Sequence, residues 1–265
     1  MSHLPVIVGF GGINPAGRSS GHHAYRRLVI DKLDTQASDR TFAALAALMD
    51  GKDDHDFITR HTLIRKLESN LFDANSIRLN KTAKLSAPPG GPVSFTIPPN
   101  QLPDNLPANW NVDTTDKSKA LVTVETDLEV MLPDTRVSKV QSAGQLPTGF
   151  HPQKLYQSRN HPRGLQLTVY GASDAIQSLG ISWQDVRDRV PADQISIYAS
   201  SAMGQLDTNG SGGMLQSGLM GKRVSSKNLA LGLAQMTADF VNAYILGSVG
   251  STGANIGACA TFLYN

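Results

Sequence analysis

Cysteine is nearly absent: Cys259 is the one cysteine in 265 residues. That excludes an internal disulfide and fits a reducing compartment. Charge is sparse at 17%, and 24 Lys and Arg against 22 Asp and Glu leave a net charge of +2. No dense Lys/Arg block exists, so nothing points to a nucleic-acid or membrane-surface partner. No apolar run approaches the ~20 residues needed to span a bilayer. The opening Met1-Ser2-His3-Leu4-Pro5 lacks a basic n-region, and the apolar run after it is too short for a signal peptide. Together these absences make the cytoplasm the expected location. No metal-ligand spacing stands out. Asp53-Asp54-His55-Asp56 has no further ligands at a recognisable distance and reads as a solvated turn. The adjacent His22 and His23 do not share a helical face.

What is present reads as a mixed α/β chain. Leu4 to Phe10 is a short apolar run consistent with a buried strand, followed by a loop over Gly11 to Gly17. His22 to Leu33 predicts an amphipathic helix with Tyr25, Leu28, Val29 and Leu33 on its apolar stripe. Ser38 or Asp39 can cap a second helix through Met49, ended near Gly51. Residues 86–107 hold seven of the fourteen prolines. That excludes a helix or central strand over the whole stretch and leaves room for one short strand, Val93 to Ile97. Ala120 to Thr126, rich in Val and Thr, predicts another. Residues 30–157 thus read as an inserted, loop-rich α+β region. Arg163 to Leu179 is the clearest helix, with Leu165, Val169, Ala172, Ile176 and Leu179 in step and Gly180 as its stop. Ser182 caps a short helix before Pro191. Ile195 to Ser200 predicts a strand, Thr208 to Gly213 a flexible loop, and Met236 to Leu246 a helix closed by Gly247.

Two stretches carry chemistry. Ser248 to Ala258 is apolar and small, and gives way to Ala260-Thr261-Phe262-Leu263-Tyr264, which predicts a strand running into a helix with Cys259 at the junction. A thiol there lies near unpaired backbone N–H groups and the positive end of a helix dipole, and both favour the nucleophilic thiolate. Glycine and alanine neighbours leave room for a thioester to approach. The alternative is a buried cysteine acting as a small hydrophobe. The second stretch, Gly12-Ile13-Asn14-Pro15-Ala16-Gly17-Arg18-Ser19, has phosphate-loop spacing with arginine in place of lysine. Arginine is not an equivalent of that lysine, and Pro15 removes one N–H from the cradle.

Gly257-Ala258-Cys259-Ala260-Thr261, preceded by Gly247-Ser248-Val249-Gly250, resembles the active-site stretch of the thiolase-fold β-ketoacyl synthases. Val6-Ile7-Val8-Gly9-Phe10-Gly11 resembles their first strand and loop, and Ile195 to Gly204 their second strand. The Asn14-to-Ser20 and Ser142-to-Phe150 segments fit a divergent, long form of bacterial β-ketoacyl-acyl-carrier-protein synthase. The family anchors cover roughly the first 20 and last 105 residues, the middle resembles only that long form, and the thiolase-like part is expected over residues 1–29 and 158–265. The resemblance implies a thiolase-like layered α/β fold, of which this chain holds the first half, with Cys259 as the catalytic nucleophile. It also implies that Met203, in the turn Ser201-Ala202-Met203-Gly204, shapes the acyl pocket; an ordinary core methionine is the alternative.

The expected reaction is decarboxylative condensation of an acyl thioester with malonyl-acyl-carrier-protein, with no metal or other cofactor. The expected partners are an acyl carrier protein, an acyl-CoA or other acyl thioester, and a second copy of the chain in a homodimer. The resemblance implies that two catalytic histidines, or a His/Asn variant, belong to the family's second half. The seven histidines here all lie at or before His161 and match neither motif. A chain ending at Asn265 is therefore expected to be a truncated part of the enzyme, inactive alone. A non-catalytic thiolase-fold partner is the alternative, but such partners lose the cysteine that this chain keeps. A nucleotide-binding protein using Gly12 to Ser19 is a third reading.

Overall fold

The computed structural model describes residues 4–51, 53–86, 91–201, 203 and 205–265. Contacts divide the chain into two compact units, Met1–Arg65 with Ser142–Asn265, and Lys66–Gln141. The second unit lies within the 30–157 stretch; residues 30–65 and 142–157 group with the first.

In the first unit, residues 4–10 form no strand, contrary to the sequence pattern, and Leu4, Val6, Ile7 and Val8 are 69–91% exposed. A strand exists only through a ladder partner, and none of the described strands pairs with this run. The expected loop that follows is a tight antiparallel hairpin of β1 (Ile13–Asn14) and β2 (Gly17–Arg18). At its turn the Asn14 side chain accepts the Ala16 N–H at 2.8 Å.

Helix α1 is short, His23–Leu28, and its expected apolar stripe faces outward: Tyr25 and Leu28 are each 63% exposed. The inward residues are Ala24 and Arg27. The guanidinium of Arg27 can be buried because it donates to Thr62 Oγ1 at 2.9 Å and to the Thr59 carbonyl at 3.2 Å. Helix α2 (Thr35–Leu48) is capped by Asp34, whose carboxylate accepts the Ala37 N–H at 2.7 Å, and not by Ser38 or Asp39. Ser38 already lies inside the helix, donating its N–H to the Asp34 carbonyl. Asp54 caps α3 (His55–Arg60), which gives the acidic turn a structural task. Phe42, Leu45, Ala46, Met49 and Ile58 of α2, its C-terminus and α3 form one core cluster.

Apart from a 3-10 turn at Pro99–Gln101, the described elements of the second unit are β-strands. Strand β3 (Ile64–Lys66) leads towards it. Strands β4 (Ile77–Leu85), β5 (Val93–Ile97), β6 (Trp110–Asp113), β7 (Ala120–Val124) and β8 (Leu128–Arg136) follow. Strands β5 and β7 fall where the sequence predicts them. β4 and β8 do not appear in the sequence pattern, because Lys, Asn, Thr and Pro133 dilute their alternation. They form a nine-pair antiparallel ribbon from Ile77↔Arg136 to Leu85↔Leu128. β7 runs between β5 and β6, antiparallel to both, and buries Ala120, Val122 and Val124 completely. The chain returns to the first unit through β9 (Ser142–Gly144), which pairs with β3.

Helix α4 (Arg163–Gln177) matches expectation, buries Leu165 and Val169, and is followed by Gly180 at φ +73°. Ser182 caps α5 (Trp183–Arg187) as expected. Strand β10 is only Ile197–Tyr198. The expected flexible loop near Thr208 instead runs into α6 (Ser211–Leu219), with Gly212 and Gly213 buried. Their glycines serve contact: a Cβ on Gly212 would lie 1.8 Å from the Leu206 carbonyl oxygen, and on Gly213 2.0 Å from that of Thr208. Helix α7 (Ser226–Gly232) follows. Next, α8 (Met236–Val241) widens into a π-turn over Asn242–Leu246 and closes at Gly247, φ +62°. Strand β11 (Thr252–Gly253) runs parallel to β10. A 3-10 turn at Ala258–Ala260 and α9 (Thr261–Tyr264) end the chain.

Val169, Ile197, Ala238, Val241 and Leu246 form the second core cluster. Thr237, wholly buried, donates to the Ala199 carbonyl at 2.8 Å and ties α8 to the end of β10. No single helix among the described residues is long and apolar enough to cross a membrane. One bent pair, Ser226–Gly232 with Met236–Leu246, meets the length and apolarity test jointly at an 88° break; Val241 and Leu246 within it are core residues.

Candidate active site

The segment carrying Cys259 is held by its own polar contacts. The Asn265 amide donates to the carbonyls of Thr261 (2.7 Å) and Asn255 (2.9 Å) and to Ser200 Oγ (3.0 Å). Its carbonyl oxygen accepts the Asn255 N–H at 2.9 Å. Ser200 Oγ donates to the Asn255 carbonyl, joining the end of β10 to the same knot. Within the turn, Gly257 N–H donates to Thr261 Oγ1 at 3.1 Å, and that hydroxyl donates to the Ala258 carbonyl at 2.8 Å.

The junction differs from the expected long strand and helix. The strand is two residues, Cys259 sits in the 3-10 turn, and α9 is four residues long. So short a helix has little macrodipole. What the turn offers is first-turn N–H groups that have no preceding intrahelical acceptor. Ala258, just before the cysteine, sits at φ +48°, the left-handed region that costs a non-glycine residue ~1–2 kcal/mol. A Cβ on Gly257 would lie 2.1 Å from the ring of Tyr264, a side chain that is itself 62% exposed. Cys259 is exposed. The reading as a small buried hydrophobe does not hold.

Cys259 lines a largely apolar cavity of about 1050 Å³. Met203 lines the same cavity and is 72% exposed, so it is not a core gap-filler. Ala202 and Gly204, its neighbours in the expected turn, lie outside the described residues. The structure thus brings the two sequence-predicted site residues together. A third wall consists of Gly11 and the small face of α4, Thr168, Gly171, Ala172 and Ala175. The contributions of Ser200, Asn255 and Asn265 were invisible in the sequence. Ser200 and Asn265 are 65 positions apart, and no local pattern marks such a pair.

The phosphate-loop match has a structural explanation. Asp174 of α4, 3% exposed, accepts the Gly12 N–H at 3.1 Å, the Ser20 N–H at 3.3 Å and Ser20 Oγ–H at 2.8 Å. Arg18 Nε donates to it at 2.7 Å. Backbone donors and the cation that a phosphate would need already serve a carboxylate, which would also repel a second anion.

None of the described residues lining the Cys259 cavity is a histidine. His161 lies buried among Tyr156, Phe240 and Tyr244, its Nδ1 3.1 Å from the Tyr156 hydroxyl. Burial lowers the His161 pKa below the ordinary histidine value and raises that of Tyr156. It borders a separate polar cavity of about 800 Å³ with Arg159, Arg163 and Asp207. Among the described residues no group of three or more His, Cys, Asp or Glu is arranged to hold a metal ion.

No protein-family model matches the chain. Over its whole length it is 47% identical to the β-ketoacyl-[acyl-carrier-protein] synthase FabY of Pseudomonas aeruginosa. The chain is thus similar along its full length to part of a β-ketoacyl-acyl-carrier-protein synthase. It spans 45% of the length of that relative. The crystal structure of the noncanonical ketosynthase FabY from P. aeruginosa superimposes on all of it with a TM-score of 0.91 at 46% identity, using 45% of that chain. The fold of this chain is therefore thiolase-like and mixed α/β.

Proposed function

We propose that the protein catalyses decarboxylative Claisen condensation in fatty-acid biosynthesis, as an acyltransferase with Cys259 as nucleophile. The observation that carries this reading is the exposed Cys259 on an apolar cavity shared with Met203. The Cys259 thiolate attacks the carbonyl carbon of an acyl thioester, and the donor thiol leaves as an acyl-cysteine forms. A malonyl thioester then loses CO₂, and the electron pair of the broken C–C bond becomes an enolate. Its carbon attacks the acyl-cysteine carbonyl, the Cys259 thiolate departs, and a 3-oxoacyl thioester remains on the acyl carrier protein. First-turn N–H groups, including that of Cys259, suit stabilisation of the tetrahedral oxyanion. Histidines that assist loss of CO₂ are assigned to residues beyond this chain.

The same reading makes an acyl carrier protein and an acyl thioester the partners, with Met203 bounding the acyl chain. It includes a homodimer, a cytoplasmic location, and residues 30–157 as an insertion relative to the rest of the thiolase-like part.

The test uses the complete protein, charged with a fatty-acyl thioester and mapped by mass spectrometry. The acyl mass is expected on the peptide containing Cys259. Cys259→Ala is expected to lower condensation by about 10⁴-fold or more, the scale of losing a nucleophile. Acylation elsewhere, or turnover retained in that variant, refutes the assignment.

A further inference from the structure

Helix α4 presents two faces to chemistry at one level of its length. Gly171, Ala172 and Ala175 line the Cys259 cavity. Asp174, between them in sequence, turns the other way and is buried under the 11–20 loop. Its oxygens take the Gly12 and Ser20 N–H groups, the Ser20 hydroxyl and Arg18 Nε. One carboxylate thus collects four donors from a single loop, and the one charged donor is 2.7 Å away. The loop is pressed against the same helix: a Cβ on Gly11 would lie 2.1 Å from the Ala175 nitrogen. Just before it, the Phe10 N–H donates to Ser178 Oγ at 3.0 Å. Gly11 itself lines the cavity.

We propose that Asp174, through its pairing with Arg18 and Ser20, is a positioning residue that fixes the Gly11 wall of the acyl cavity and so sets which acyl chains fit. This deepens the reading of Cys259 as the acylated nucleophile and rests on it. The physical reason is a division of labour between independent contacts. The cysteine segment is held by Asn255, Thr261, Asn265 and Ser200, none of which touches Asp174. A backbone loop clamped on a buried carboxylate has one preferred position. Loosened, it can move by a fraction of an ångström into or away from the cavity. The thiol and its turn then stay in place while the volume offered to the acyl chain changes. Loss of Asp174 should therefore act on acyl binding more than on bond making. An amide at this position keeps the shape but cannot accept all four donors, since its NH₂ is itself a donor.

The experiment is steady-state kinetics of the complete protein over acyl thioesters of increasing length, with Asp174→Asn, Ser20→Ala and Arg18→Lys. Asp174→Asn is expected to raise KM for the preferred acyl donor about tenfold or more, with kcat within about threefold, and to move the chain-length optimum. Ser20→Ala, which removes one neutral donor, should shift KM in the same direction by a smaller factor. Arg18→Lys, which keeps the charge, should partly restore the wild-type profile relative to Arg18→Gln. If Asp174→Asn does not fold, Ser20→Ala and the two Arg18 variants decide. KM and chain-length profile unchanged in the folded variants, or kcat and KM damaged alike at every chain length, overturns the proposal. Acyl-Cys259 is measured in parallel by mass spectrometry. Its absence in the wild-type protein sinks the nucleophile assignment, whereas its presence with an unmoved profile sinks only the role of Asp174.

Discussion

In residues 66–141 the strand contacts follow continuous antiparallel registers. Around Cys259 they join distant parts of the chain. Ser94 and Thr123, on adjacent strands of the three-stranded sheet, are 29 positions apart. The whole ribbon of β4 and β8 is one continuous antiparallel register. By contrast Gly12 meets Asp174 across 162 positions, and Trp183 Nε1 meets the Leu246 carbonyl across 63. The β unit buries little beyond Ala120, Val122 and Val124 with Phe95 edge-on to Trp110 at 5.5 Å. The unit of Cys259 has two core clusters and several glycines in direct backbone contact. Regular ladder pairing yields a scaffold that tolerates change at its surface. Long-range packing yields a cavity whose walls depend on one another.

That contrast can be broken by mutation. Leu165, fully buried in α4, should be among the costliest residues to truncate: Leu165→Ala is expected to destabilise the first unit by about 2–5 kcal/mol. Hydrogen exchange on the complete protein should then show faster exchange in α4, α8 and the Cys259 turn. The matching change in the other unit, Val122→Ala, should cost about 1–3 kcal/mol and leave exchange at the Cys259 turn and the rate of Cys259 alkylation unaltered. Equal effects of Val122→Ala on both units would erase the distinction.

A finer probe changes the cavity without touching either core. Met203→Ala should extend the range of acyl chains accepted and Met203→Trp should shorten it, each moving kcat/KM for the affected chains about tenfold, or ~1.4 kcal/mol. Identical chain-length profiles in both variants would remove Met203 from the site.

The smallest expected effect is on pH dependence. Burial disfavours the charged form of His161 and lowers its pKa. Below the ordinary histidine value the unfolded imidazole is protonated while the folded one is not, so unfolding takes up a proton. Stability therefore falls as pH drops from about 7 through the ordinary histidine pKa, and levels off below the folded one. The unfolding midpoint should show this slope, and His161→Gln should flatten it. A slope unchanged in that variant assigns the proton to another group.

Much of the framework was legible. Helix α4 announced itself by apolar steps of three and four and a glycine stop, β5 and β7 by β-branched residues, and α5 by Ser182. The failures have specific causes. Tyr25 and Leu28 follow helical periodicity yet point outward, because Arg27 finds hydrogen-bond partners inside. Asp34 outcompetes Ser38 as a cap because the helix begins earlier than apolar periodicity does. The glycines after Asn209 resemble a flexible linker, but each is small because a carbonyl oxygen lies against it.

By itself the sequence determined the chemistry available: one thiol, set among residues small enough to admit a thioester, in a stretch that resembles an active-site motif. Periodicity and turn residues also fix which segments can be helix or strand, since those preferences are local. Only the tertiary structure decided that the thiol faces a cavity, that Met203 shares it, and that the phosphate-loop spacing near the N-terminus serves a buried aspartate. Each of these depends on contacts between residues tens to more than a hundred positions apart, and a contact at that distance leaves no mark in the local order of the chain.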